Sequence, residues 1–141
     1  MVLVHHIALT ASDHNVSCKY YDVILGALGL ERHHTSETVC SWVFPKESCP
    51  EFLIYAAHDD LKDIPHRTYS PGAHHYCLSV ASKDIVYRVH DAARQIGSVV
   101  FEALESYSKY AKNVGSEDYF AVFLSDPDCI KLEFAWIPKE L

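Results

Sequence analysis

Two imidazoles and one carboxylate, His6, His75 and Glu133, are the side chains of this 141-residue chain whose types and placement fit a metal site. The segment His5-His6-Ile7-Ala8-Leu9-Thr10-Ala11 is echoed by His74-His75-Tyr76-Cys77-Leu78-Ser79-Val80, and both copies read as strands. Strand side chains point alternately to two faces, so His6 shares a face with Ala8 and Thr10, and His75 with Cys77 and Ser79. Near the end, Ile130, Leu132, Phe134 and Trp136 make an apolar face and leave Lys131, Glu133 and Ala135 on the other. Two neutral imidazoles and a carboxylate on rigid strands form a facial triad. It suits Fe(II) or Mn(II) first, and Zn, Ni or Co next, with coordination places open for substrate or water. Taken singly, each residue reads as a half-buried or solvated strand position. The repeat, which puts the two histidines in equivalent places, carries the metal reading.

The elements that must position these ligands repeat as well. A helical pattern follows each histidine strand: Val16, Tyr20, Val23, Ile24, Ala27 and Leu28 in the first half, and Ile85, Val86, Val89, Ala92, Ala93 and Ile96 in the second. Gly29 and Gly97 close the two helices, and Asp13 or Ser12, then Ser82 with Asp84 behind it, open them. Strands are expected at about 31 to 37, 39 to 44 and 51 to 57, then 98 to 104, 118 to 125 and 130 to 137. Each half is therefore βαβββ. The last strands align as Leu53-Ile54-Tyr55-Ala56 against Leu132-Glu133-Phe134-Ala135, which sets Ile54 opposite Glu133 in the repeat. One βαβββ unit leaves a sheet face uncovered, and pairing two buries it. The expected architecture is α+β, with two tandem βαβββ modules, about 1–66 and 67–141, in a single domain. They form a curved mixed sheet around a pocket, with the helices on the outer face.

Composition narrows the partners. A formal charge of −7 with only 12 scattered Lys and Arg leaves no basic face for nucleic acid or anionic lipid. No apolar run is long enough to span a membrane, and the chain starts on a strand-like segment instead of a secretory signal. Five widely spread cysteines without a CxxC pair suggest reduced thiols, and the expected location is cytoplasmic.

The segments His5-His6-Ile7-Ala8-Leu9, Leu28-Gly29, Pro71-Gly72-Ala73-His74-His75 and Asp126-Pro127-Asp128-Cys129-Ile130-Lys131-Leu132-Glu133 resemble the vicinal oxygen chelate superfamily over essentially the whole chain. That superfamily takes in glyoxalase I, bleomycin-resistance and fosfomycin-resistance proteins, methylmalonyl-CoA epimerase and extradiol dioxygenases. The resemblance implies that the family's metal histidines are His6 and His75, and that its carboxylate is Glu133. Four-ligand members carry a further acidic residue where the repeat places Ile54, which argues against a glyoxalase I activity. Cys129 stands where the family has glycine, at a turn position that often requires positive φ.

The activity implied is that of a metal-dependent enzyme chelating vicinal oxygens of a small substrate, with an extradiol-type ring-cleavage dioxygenase as the first reading. A glyoxalase-type lyase or isomerase and a metal-free drug- or metabolite-binding protein are the alternatives. Tyr107, Tyr110 and Tyr119 are candidates for hydrogen-bonding a substrate oxygen near the metal, with aromatic packing as their other reading. Cys77 is read either as a soft extra ligand or as a buried small hydrophobe. His14, His33, His34, His58, His66 and His90 have no repeated partner and read as surface residues. Exposed sheet edges and the resemblance both suggest a homodimer.

Overall fold

A computed structural model of the chain describes residues 4–106 and 118–138. The elements follow the expected order twice: β1 (His6–Ala11), α1 (His14–Leu28), β2 (Glu31–Thr35), β3 (Val39–Val43) and β4 (Glu51–Ala56), then β5 (Tyr76–Ser79), α2 (Lys83–Gln95), β6 (Val99–Ser106), β7 (Phe120–Ser125) and β8 (Lys131–Trp136). The chain divides into two compact units, Met1–Pro65 and His66–Leu141. Each holds one four-stranded sheet and one helix, with strand orders β1-β4-β3-β2 and β5-β8-β7-β6. In both sheets the first strand runs parallel to the last, which lies inside the sheet, and the remaining pairs are antiparallel. The result is an α+β fold of tandem βαβββ modules. No helix among the described residues is long and apolar enough to cross a membrane.

In the first unit the Asp13 side chain accepts a hydrogen bond from the Val16 amide at 3.0 Å and so starts α1. Gly29 ends the helix at φ 94°, a left-handed conformation that glycine takes without a Cβ penalty. The buried face of α1 is rotated from the expected one. Ser17, Cys18, Tyr20, Tyr21, Ile24 and Leu25 are buried, whereas Val16 is 50% exposed. Tyr21 explains the rotation: its ring is fully buried and packs against Trp42 of β3 and Phe52 of β4. A ring that size sets the helix azimuth, and the small Ser17 and Cys18 fit the stripe one turn earlier. On β1, Leu9 and Ala11 are buried while His6, Ala8 and Thr10 are exposed, as alternation requires.

In the second unit Val86, Val89 and Ala93 of α2 are fully buried, but Ile96 is 40% exposed. Ser82 occupies the N-cap position without a side-chain cap bond, and Gly97 follows the helix at φ 67°. All six residues of β7 are buried, as are Leu132 to Ala135 of β8. This sheet therefore has two covered faces at its centre. Leu132 and Phe134 lie on one, and Glu133 and Ala135 on the other.

The candidate metal centre

Glu133 is the third residue of β8, flanked in register by Cys77 of β5 and Phe123 of β7. It is 4% exposed, so the reading of Glu133 as a solvated edge residue fails. Its face of the sheet is apolar, with Tyr119, Ala121, Phe123, Ala135 and Ile137 forming a buried cluster. A carboxylate there is costly unless its oxygens are matched by donors or cations.

Both oxygens are matched. The Tyr119 hydroxyl donates to Glu133 Oε1 at 2.5 Å. Burial first, and this hydrogen bond second, hold the Tyr119 pKa well above the usual phenol value, so the ring keeps its proton and remains a donor. The second oxygen, Oε2, lies 3.2 Å from His75 Nε2. Beyond it, His75 Nδ1 is 2.7 Å from His74 Nδ1, so one of those two nitrogens carries the shared proton. The tandem histidines thus form a relay in which the outer ring sets the tautomer of the inner one.

This donor set fits a divalent ion. Nitrogen and carboxylate donors about 2.1 Å from an ion are separated by roughly 3.0 Å at a right angle and about 3.4 Å at the tetrahedral angle. The observed 3.2 Å separation falls between the two. Tyr119 leaves Oε2 available by occupying Oε1, and His74 can accept from Nδ1 when Nε2 gives up its proton to bind metal.

His6 belongs to the first unit, where it is exposed and its Nδ1 lies 3.1 Å from His5 Nδ1. The same tandem contact therefore occurs at both ends of the repeat. Strand register corrects one sequence expectation. Ala8, two residues beyond His6, pairs with Leu53, just as Cys77, two residues beyond His75, pairs with Glu133. Leu53, not Ile54, is the counterpart of Glu133, while Ile54 pairs with Leu9 and is 1% exposed on the helix side. Sequence similarity across the last strands misplaced the match by one residue, and a one-residue slip exchanges faces.

The register also brings forward a carboxylate that the sequence reading overlooked. Glu51 is the Cα partner of His6 and lies on its face of the first sheet. The available signal was the parallel pairing of first and last strands in each module. On the same face Ser41 is 1% exposed, and its Oγ has no hydrogen-bond partner among the described residues.

The other sequence candidates divide. Tyr119 contacts Glu133 and acts on the site through it. Tyr107 and Tyr110 lie outside the described residues. Cys77 is exposed instead of being a buried hydrophobe, with its sulfur 3.9 Å from the Tyr119 hydroxyl. No disulfide links any of the five cysteines. Cys129 takes φ 65° without changing the register of β8. Asp126 holds that turn, its Oδ1 accepting from the Asp128 amide at 2.9 Å and the Ile130 amide at 2.7 Å. His33 and His34 are exposed as expected, but His14 contacts Cys18.

No protein-family model and no curated protein matches the chain. Solved structures do. A glyoxalase/bleomycin resistance protein/dioxygenase domain from Frankia sp. EAN1pec superposes with a TM-score of 0.74 at 18% identity, over 97% of this chain and 98% of that one. A glyoxalase/bleomycin resistance protein from Albidiferax ferrireducens T118 gives 0.73 at 20% identity over 93% and 96%. Lactoylglutathione lyase from Agrobacterium tumefaciens gives 0.63 at 16% identity over 95% and 92%. The chain has the fold of the glyoxalase, bleomycin-resistance and dioxygenase proteins, which is the fold of the vicinal oxygen chelate superfamily.

Proposed function

We propose that the chain is a divalent-metal-dependent enzyme acting on a small substrate with vicinal oxygens, and that His75, Glu133 and His6 hold the ion. The observation that carries this reading is the buried Glu133 carboxylate, with one oxygen fixed by Tyr119 and the other 3.2 Å from His75 Nε2. When bound, the ion supplies Lewis acidity toward two substrate oxygens and, as Fe(II), a redox centre for dioxygen. Tyr119 fixes the Glu133 rotamer, and His74 fixes the tautomer of His75. Phe123, Ala135 and Ile137 give the carboxylate an apolar surround. Ring cleavage of a catechol-type substrate is the first reading we propose, with lyase or isomerase chemistry as the alternative.

Glu51 supports a second reading. A carboxylate beside His6 could serve as a fourth ligand or as a proton acceptor, which suits lyase or isomerase chemistry. A homodimer in the cytoplasm is the proposed working state.

Metal analysis of protein purified anaerobically without chelator, beside Glu133→Ala, tests the proposal. About one Fe or Mn per chain, lost in the variant, together with oxygen uptake on a catechol panel, supports ring cleavage. Zn or Ni that is lost in the variant, without oxygen uptake, favours the lyase or isomerase reading, and Glu51→Gln then abolishes turnover. A metal content per chain no lower in Glu133→Ala than in the unmodified protein, after reconstitution of both, refutes the metal proposal and leaves a ligand-sequestering binding protein.

A further inference from the structure

The helix side of the first sheet, opposite the face that carries His6, holds a second cluster of ligand atoms. His14 opens α1, Cys18 lies one turn later on the same side of the helix, and Cys40 projects from β3 beneath them. One donor atom from each residue, the imidazole nitrogen of His14 and the sulfurs of Cys18 and Cys40, lies within 4.8 Å of the other two. Cys18 Sγ is 3.5 Å from His14 Nε2. Around a tetrahedral zinc ion, the sulfur–nitrogen edge is about 3.5 Å and the sulfur–sulfur edge about 3.8 Å, given the usual bond lengths. The nitrogen–sulfur spacing is already that of a bound ion.

Two further observations favour a site over chance packing. Arg32 Nη1 donates to Cys40 Sγ at 3.7 Å, the outer contact that stabilises charge on a ligand sulfur. Arg32 is itself held by Asp22, which also accepts from Trp42 Nε1 at 3.0 Å, so the guanidinium is fixed and its charge locally balanced. Both sulfurs are buried, Cys18 at 4% and Cys40 at 1% exposed, while His14 reaches the half-exposed rim.

We propose that His14, Cys18 and Cys40 form a second metal site that takes a zinc-class thiophilic cation, with the fourth tetrahedral place left to water. Two thiolates and an imidazole favour a thiophilic ion over the hard Mn(II) considered for His75 and Glu133. The ion would tie the first turn of α1 to the middle of its sheet.

Cobalt(II) titration of the full-length chain tests this, carried out anaerobically with a phosphine reductant in a Cys77→Ser background that removes the sulfur beside Glu133. The expected result is a near-ultraviolet sulfur-to-cobalt charge-transfer band that saturates at one equivalent and is bleached by Zn(II). His14→Gln, at a rim position that leaves folding intact by circular dichroism, keeps the band but weakens binding at least about tenfold. Cys18→Ala reduces the band intensity per cobalt. Glu133→Ala leaves it unchanged, which separates this site from the proposed catalytic one. The inference is overturned by a folded protein with no charge-transfer band, or by a band unaffected by both Cys18→Ala and His14→Gln.

Discussion

Replacing Tyr119 with phenylalanine removes one oxygen atom and tests whether Glu133 is held as described. The hydroxyl is 2.5 Å from Glu133 Oε1, Tyr119 is 9% exposed and Glu133 is 4% exposed. A hydrogen bond to a charged group contributes about 1.5–3 kcal/mol, and a buried acceptor left without its donor adds its own desolvation cost. Tyr119→Phe is therefore expected to cost about 2–3 kcal/mol, located in the second unit. Amide exchange of β7 and β8 under native conditions reads that unit alone, and their protection should fall by roughly 30- to 150-fold, the equivalent of that free energy. In a Glu133→Gln background the same change should cost at least about 1 kcal/mol less, since the charge-assisted part has already gone. Protection within threefold of wild type in the single variant, or an equal loss in both backgrounds, would refute the view that Tyr119 positions Glu133. Aromatic packing would then be its whole role.

Four further substitutions follow from the turns and caps. Asp126→Ala removes the carboxylate that accepts from two amides at 2.7 and 2.9 Å, and should lower stability by about 2 kcal/mol, read as a lower thermal midpoint. Cys129→Gly relieves a side chain held at φ 65°; a cost of about 1–2 kcal/mol for that conformation, less the extra unfolded-state entropy of glycine, predicts a net gain of about 0.5–1 kcal/mol in denaturant unfolding. Asp13→Ala should destabilise the first unit by about 1 kcal/mol, whereas Ser82→Ala should change the second by no more than a few tenths, because only Asp13 makes a cap hydrogen bond. Equal effects at the two caps, measured by amide exchange of α1 and α2, would contradict that distinction.

Much of the scaffold was legible because its signals are local. Alternation along β1, the glycines at 29 and 97, and the Asp126 turn each act over a few residues, and each appears where expected. The azimuth of α1 was not legible, because counting aliphatics gave Val16 the weight that belongs to Tyr21 and the small residues beside it. Burial of Glu133 was also beyond the sequence. Nothing in its neighbours states that β8 runs inside its sheet, and that placement turns a nominal edge carboxylate into one needing two donors. His14 and Cys18 have the spacing of two ligands on one helical face, but Cys40 joins them only through tertiary packing.

The repeat constrains chemistry less than it constrains shape, and strand register shows why. Both modules place a tandem histidine pair at the start of their first strand, and in both the neighbouring inner strand runs parallel to it. The position two residues along carries Glu133 in one module and Leu53 in the other. Directly across from the inner histidine of the first module stands Glu51, and the corresponding place in the second module holds Lys131, one residue before the Tyr76–Leu132 pair. The carboxylate has thus moved by one full strand period between modules while staying on the same face, a change that alternation tolerates and a one-residue shift would not. Equivalence by register, not by sequence similarity, is therefore the criterion for assigning ligands in a duplicated βαβββ chain. By that criterion Glu51→Gln and Leu53→Glu are the two substitutions that separate a three-ligand site from a four-ligand one. Under the proposed assignment, in which His6 joins His75 and Glu133 as a ligand, Leu53→Glu should raise metal affinity, and an affinity unchanged by it would count against His6 as a ligand.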